Sequence, residues 1–404
     1  MKEVYTSSTL KKQFYDENPL LEKIKQVEGT VIGRKATVPI HNKTNGGYTS
    51  VGAAGGSLNP AGQQGITTAT YELVYHWMQC QLETGVLNQS TGGATSQVDA
   101  LAFEMDGAIS DMSRQISRQL VNDGSGRIAQ CAATSASTVV NLQPAASGGR
   151  GAGAIVREHL RVGLPVDIGT IADSDSAGTG LYIVDVDEVA PSITLSSAVT
   201  TSTSDFVSIA NPNSTTAPDP ELNGLRNIAG STTAPLGGID PTTTGNKFWK
   251  PAVVDTTTTT WTIALGTKLQ RNVFQKTGKY DVTVLTSPRQ AEVFYSTLQN
   301  QVRFSGEMGM GAGNVGGMVG LSWNGQGINV MPDIYDSDWF MITLSDLIRV
   351  TGKYKDPTWV SDIEGAGGSL RWQQGTTSFT DAVCWPFQIG AERRNTHAAA
   401  TALT

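Results

Sequence analysis

Chemistry announces itself through residue types at fixed spacings, and three patterns in the chain come near one. Gly311-Ala-Gly313-Asn-Val-Gly316 has the GxGxxG spacing that grips a dinucleotide pyrophosphate. Asp333 follows, where an acidic residue would take a ribose hydroxyl. That site needs a helix opening at the last glycine. Here Gly317, Gly320, Gly325 and Gly327 come next, and such a run does not hold a helix, so the segment reads as a loop. Asp185, Asp187 and Glu188 form a carboxylate run of the kind that takes calcium. Alternation along a strand would place Asp185 and Asp187 on one solvated face. Cys80, Cys131 and Cys384 are odd in number and far apart, with neither metal spacing nor a disulfide framework. They read as small buried hydrophobes in a reducing compartment.

His41, His76, His159 and His397 stand alone. No phosphate-binding GxxxxGK segment and no GxSxG elbow occurs, and Gly124-Ser125-Gly126 reads as a helix stop. A triad assembled from distant positions stays open, because its members need not be neighbours in sequence. No Ser or Cys sits in a nucleophile context, however. The expected inventory holds no catalytic, cofactor-binding or metal-ligating residue. The chain is expected not to be an enzyme and to carry no cofactor.

The elements that would position any site are unusual. The chain has 404 residues, of which 16% are charged, with 45 glycines and a net charge of −7. Average soluble domains are about 25% charged. Surfaces this poor in charge suit burial against neighbours. Residues 1–43 carry 8 Lys and Arg against 5 Asp and Glu, residues 44–246 carry 7 against 18, and residues 247–404 carry 14 against 13. Phosphate recognition needs clustered cations, so the acidic chain makes a poor free-standing nucleic-acid binder, and the basic opening segment is the one exception. No apolar run approaches the ~18 residues of a membrane span. The opening MKEVYTSSTLKKQF lacks the apolar core of a secretory signal.

Along the chain, residues 1–45 read as an arm, with one amphipathic turn at Leu20, Leu21 and Ile24 after Pro19. A glycine-rich stretch follows, then ITTATYELVYHWMQCQLETGVL. Tyr71, Leu73, Tyr75 and Trp77 share one face of it and Val74, Met78, Cys80 and Leu82 the other, which predicts a strand covered on both sides. Val98, Leu101, Met105, Ile109, Met112, Ile116 and Leu120 make one apolar stripe, a long helix over 96–122 ended by Asn122-Asp123-Gly124. Six short β runs from Ile128 to Ile209, parted by glycine-rich turns, predict a small barrel or sandwich. STTAPDPEL at 214–222 reads as a linker. Helices are expected at 262–276 and after the Ser287-Pro288 cap, with strands at 281–285 and near Ile328, Trp339 and Leu347. The fold class is α+β. An arm, a long loop and a helix for it to lie on are unstable alone, so copies of the chain are expected to complete one another.

Several stretches together resemble the major capsid proteins of tailed double-stranded DNA bacteriophages. NGGYTSVG with LNPAGQQG is similar to the start of that family's extended loop. STVVNL, GLPVDIG and YIVDVDEVAPSITLSSAVT resemble an inserted β-domain. LNGLRNIAG, GGIDP and the Trp249 region resemble the lead into the axial domain. LTSPRQAEVFYSTLQNQVRF and LSWNGQGINVMPD resemble the axial helix and its following strand, and ERRNTHAAATAL the closing segment. The resemblance implies an N-terminal arm at 1–45, an extended loop at 46–92, and the spine helix of a peripheral domain at 93–126. It further implies an inserted β-rich domain at 127–212, a mainly axial domain at 213–346, and peripheral strands returning to the axial domain at 347–404.

The implied function is structural: hexamers and pentamers tile an icosahedral shell around the phage genome. The shell would assemble in the bacterial cytoplasm and end in the virion. Implied partners are the chain itself, a separate scaffolding protein, a portal, a decoration protein, and DNA touched non-specifically on the inner face by the basic arm. No membrane is involved. An encapsulin-like nanocompartment uses the same fold, and a β-rich adhesin or surface protein shares the composition; these are the alternatives. In one branch of the family a loop lysine cross-links neighbouring subunits. Here no lysine occurs between Lys43 and Lys247, so the loop lacks an amine nucleophile. Assembled material boiled in denaturant and reductant should therefore run as one band near 42.7 kDa, and a ladder of covalent oligomers would contradict this.

Overall fold

The computed structural model describes residues 19–27, 31–53, 55–83, 100–143, 159–170, 172–210, 221–255, 260–278, 282–299, 321–352, 355–360, 371–372 and 376–403. The glycine run 311–316, the expected helix start at Ser96, most of the 214–222 linker and Lys2, Lys11 and Lys12 lie outside these residues.

The spine helix runs Ala100–Val121. Ile109, Met112, Ile116 and Leu120 are buried along one stripe, at the spacing that keeps a single helical face inward. Gly124 follows at φ 77°, a left-handed conformation that lets the chain turn away. Met105, read as mid-stripe, is half-buried at the edge of the core. The helix lies over a sheet whose longest strand is Ser378–Ala391. Val74–Glu83 pairs antiparallel with that strand, from Phe387–Val74 to Ser378–Glu83. Leu347–Thr351, Thr358–Trp359 and Arg371–Trp372 also pair with it.

Two expectations change here. The run ITTATYELVYHWMQCQLE is not one strand covered on both sides. It breaks at Leu73 into Gly65–Glu72 and Val74–Glu83, which belong to different sheets. The chain must turn there to pass from one sheet to the other, and the Leu73 N–H is satisfied by the Arg34 carbonyl instead of a strand partner. Tyr71 and Leu73 end up buried, whereas Tyr75 and Trp77 are exposed. The arm also differs. Pro19–Lys23 is helical, Lys25–Val27 pairs parallel with Leu347–Thr351, and Leu20, Leu21 and Ile24 are buried in the chain's own core. Lys35–Lys43, read as arm, is the outgoing strand of a hairpin with Gly65–Glu72.

The barrel has strands Arg127–Gln130, Thr134–Asn141, Pro165–Gly169, Gly178–Asp187, Ser192–Thr201 and Phe206–Ile209. Each overlaps a β run legible in the sequence. The first, sixth, third, fourth, fifth and second pair in that order. The two ends then meet through Ala132 N–H to the Asn141 carbonyl (2.8 Å) and Gln143 N–H to the Gln130 carbonyl (2.9 Å). These bonds close the strand order into a barrel. Val140, Val166, Ile168, Ile183, Ile193 and Val207 fill the interior.

A second six-stranded sheet carries Val253–Asp255, Ala398–Ala400, Trp339–Ile342, Thr283–Thr286, Gln326–Val330 and Ser322–Trp323, paired in that order. Val284, Trp339, Met341 and Ala398 face one core with helices Ile263–Thr277 and Pro288–Gln299. Leu285, Phe340, Ile342 and Ala399 face the core of the spine helix. The period of two thus buries both faces. Thr262 caps the first of these helices, its hydroxyl accepting from Leu265 N–H, and Ser287 accepts from Gln290 N–H at the second. Ile116→Ala should cost about 2–5 kcal/mol of stability in denaturant unfolding. Met105→Ala should cost clearly less, and equal costs would contradict the assigned edge position.

Candidate functional site

Among the described residues, the groups that sequence spacing raised for chemistry are scattered. Cys80, Cys131 and Cys384 are free and buried. Burial pushes the Cys131 thiol up to about 12 and Cys384 to about 11, and raises Cys80, so none is a ready thiolate. Asp187 is spent on a turn, its Oδ1 accepting from Val189 and Ala190 N–H, and Asp185 accepts from Val186 N–H. Asp333 meets His159 Nε2 at 3.0 Å. Among the described residues no three His, Cys, Asp or Glu side chains come together as a metal site.

What the fold does build is a braced frame with two uncovered surfaces. Tyr71 ends the hairpin's returning strand and locks it to the long strand. Its hydroxyl donates to the Ala391 carbonyl (2.8 Å) and accepts from Ala391 N–H (3.1 Å). Burial pushes that hydroxyl up to about 12. The ring lies on Gly390, where any side chain would sit 2.5 Å from it. Just beyond, Arg394 is buried, and its guanidinium donates to the carbonyls of Asn227, Ile228, Ser231 and Ala234 at 2.6–3.0 Å. Burial pulls it down to about 10, which leaves it charged at neutral pH. Arg118 of the spine helix forms a buried ion pair with Glu221. The linker expected at 214–222 therefore ends in core, with Glu221 and Leu222 both buried. Sequence reasoning missed Arg394 and Glu221. Arg394 is held by main-chain carbonyls that any residue supplies, so only its place in an alanine-rich ending hinted at burial.

The first uncovered surface is the hairpin and its tip. Residues 44–71 include no Asp, Glu, Lys or Arg. Tyr48 is 85% exposed and Leu58 75%. The second surface is one face of the sheet. Cross-strand pairs Tyr75–Pro386, Trp77–Cys384, Gln79–Ala382 and Gln81–Thr380 share it; none of the eight is charged, and Tyr75, Trp77, Gln79 and Gln81 are its exposed side, Pro386 and Cys384 being buried. Tyr75 is 45% exposed and Trp77 54%. The spine helix covers the opposite face, where its Arg118 neighbours His76 and its Glu104 neighbours Cys80. Lys25, one of the arm's cations, is spent on Glu392 at 2.8 Å.

No family model matches the chain, and no curated protein matches it. Solved structures do. A chain of the cyanophage A-1(L) capsid superposes with a TM-score of 0.53 at 13% identity, over 96% of this chain and 93% of that one. The chain has the tailed-phage capsid fold. Gordonia phage Cozz (TM-score 0.45, 10% identity, 95% and 86% covered) and an encapsulin complex from Synechococcus elongatus (0.46, 8%, 100% and 91%) match more loosely.

In this capsid fold two histidines are sealed inside. His76, against the Phe387 ring, and His397, near Arg393 and Arg394, are each held down to about 3 by burial first and the neighbouring arginine charge second. Their pKa in the folded chain lies below the ordinary 6.5. They therefore cost nothing above pH 6.5, and stability falls as pH drops from 6.5 toward 3, where the unfolded chain takes up protons that the folded one refuses. The loss amounts to several kcal/mol per histidine. His76→Phe should flatten the decline of the urea midpoint across that window, and an unchanged slope would contradict it.

Proposed function

We propose that the chain is the major capsid protein of a tailed double-stranded DNA bacteriophage, a structural protein and not an enzyme. It assembles as hexamers and pentamers into the icosahedral shell around the genome. The observation that carries this reading is the pair of uncovered surfaces on a shell-forming fold. An uncharged loop at 44–71 and an uncharged face bearing Tyr75 and Trp77 are each costly to leave in water. Brought together between copies, they bury apolar area without stripping water from any charge. On this reading the hairpin is the extended loop and the sheet with the spine helix is the peripheral domain. The second sheet is the axial domain, and the barrel is an insertion between them. A separate scaffolding protein, a portal and a decoration protein complete the partner set. The lysines that precede Lys25 in the arm face scaffold or DNA, assembly takes place in the bacterial cytoplasm, and the product is the virion.

Trp77→Asp tests this. The site is exposed in the subunit, so the variant should fold with a near-native unfolding midpoint, yet it should form no shells by sedimentation and negative-stain microscopy. Removing Ser50–Gly62 should weaken assembly in the same way. Normal shell yield from both variants would overturn the reading. Shells that enclose a protein cargo in place of DNA would assign the chain to the encapsulin-like compartments.

A further inference from the structure

We infer that Asn45, at the root of the hairpin tip, is a site of spontaneous backbone modification, cyclising with Gly46 to a succinimide. Asn-Gly occurs three times, at Asn45-Gly46, Asn223-Gly224 and Asn324-Gly325. In the reaction the Gly46 nitrogen gives up its proton and attacks Cγ of Asn45. The Cγ–Nδ2 bond breaks and Nδ2 departs with a proton as ammonia. Water then opens the ring at either carbonyl, leaving aspartate or isoaspartate. Water is the sole co-reactant.

Three conditions favour this reaction: an unhindered nucleophile, a polarised side-chain carbonyl and access for the base that takes the proton. Asn45 meets all of them. Gly46 is exposed, and a Cβ placed there would have nothing within 4 Å. Gly47 N–H donates to Asn45 Oδ1 at 2.8 Å, the oxygen on which negative charge grows during the attack. A donor fixed at that oxygen stabilises the transition state more than the starting amide. Asn45 itself is exposed to solvent.

The other two pairs fail a condition. At Asn223 the side-chain oxygen does have a donor, Asn227 Nδ2 (3.2 Å), but Gly224 is wedged so tightly that a Cβ would lie 2.2 Å from the Asn122 carbonyl oxygen. At Asn324 the glycine is as open as Gly46, but among the described residues no donor polarises the side-chain oxygen, and the turn holds the residue at φ 49° with Trp323 paired to Gln326. Attack there must break the turn geometry first.

The product matters for the loop. It places a carboxylate within residues 44–71, which otherwise have no charge. Isoaspartate also adds a methylene to the main chain at the residue whose carbonyl accepts from Gly62 N–H (2.8 Å), one of the bonds that join the two legs of the loop.

The test is incubation of the full-length protein at mildly alkaline pH, with peptide mapping by mass spectrometry and enzymatic labelling of isoaspartate. Asn45 should convert several-fold faster than Asn324 and Asn223, with succinimide detectable on quenching in acid. Gly46→Ala should slow the conversion several-fold, and Asn45→Gln should abolish isoaspartate in that peptide. Equal rates at the three sites, faster conversion at Asn324, or an unchanged rate in Gly46→Ala would each overturn the inference.

Discussion

The strand Ser378–Ala391 is the constraint on which the subunit depends. Four other strands pair with it, so it is the one element shared by every strand junction of its sheet except that between Lys25–Val27 and Leu347–Thr351. Its end is sealed by Tyr71, whose hydroxyl takes both main-chain groups of Ala391. Three residues on, Arg394 gathers four carbonyls of the 227–234 segment. After that the chain enters the second sheet as Ala398–Ala400. A stretch from 378 to 400 thus welds hairpin, first sheet and second sheet into one body. The hairpin is held rigidly at its base while its tip stays uncovered, which is what a reach to a neighbouring copy requires.

The frame holds together by burying charge where it orders the chain and leaving charge out where surfaces must meet. Arg118 with Glu221 fixes the segment that leads out of the barrel against the spine helix. Arg394 has no carboxylate partner among its hydrogen bonds, only carbonyl dipoles, and its desolvation is offset by four carbonyl acceptors placed at once. Removing either arginine would leave buried acceptors unmet, a cost of several kcal/mol. The exposed Tyr75–Trp77 face and the loop follow the opposite rule. They keep polar groups neutral, so covering them removes little hydration.

Much of this was legible in the sequence because it is local. Six β runs became six barrel strands, since period-two patterning with glycine turns depends on near neighbours. The stripe Ile109–Leu120 and the Thr262 and Ser287 caps were readable for the same reason. Long-range pairing was not. Nothing in YELVYHW marks Leu73 as the point where the chain changes sheets, because the alternation runs through it unbroken. The docking of Leu20, Leu21 and Ile24 depends on a strand more than 300 residues away. The candidate surfaces were half legible: the glycine-rich tip stood out, but the exposure of Tyr75 and Trp77 is set by which face the spine helix takes.

The central claim is that the uncharged tip and the Tyr75–Trp77 face are covered by other copies of the chain. Hydrogen exchange read by mass spectrometry, on isolated subunits and on assembled particles, tests it most directly. The account predicts that amides of residues 45–64 and 75–81 gain protection on assembly, while the barrel interior around Ile168 and Ile193 exchanges equally in both. Particles in which the tip and the 75–81 segment exchange as fast as in free subunits would contradict it.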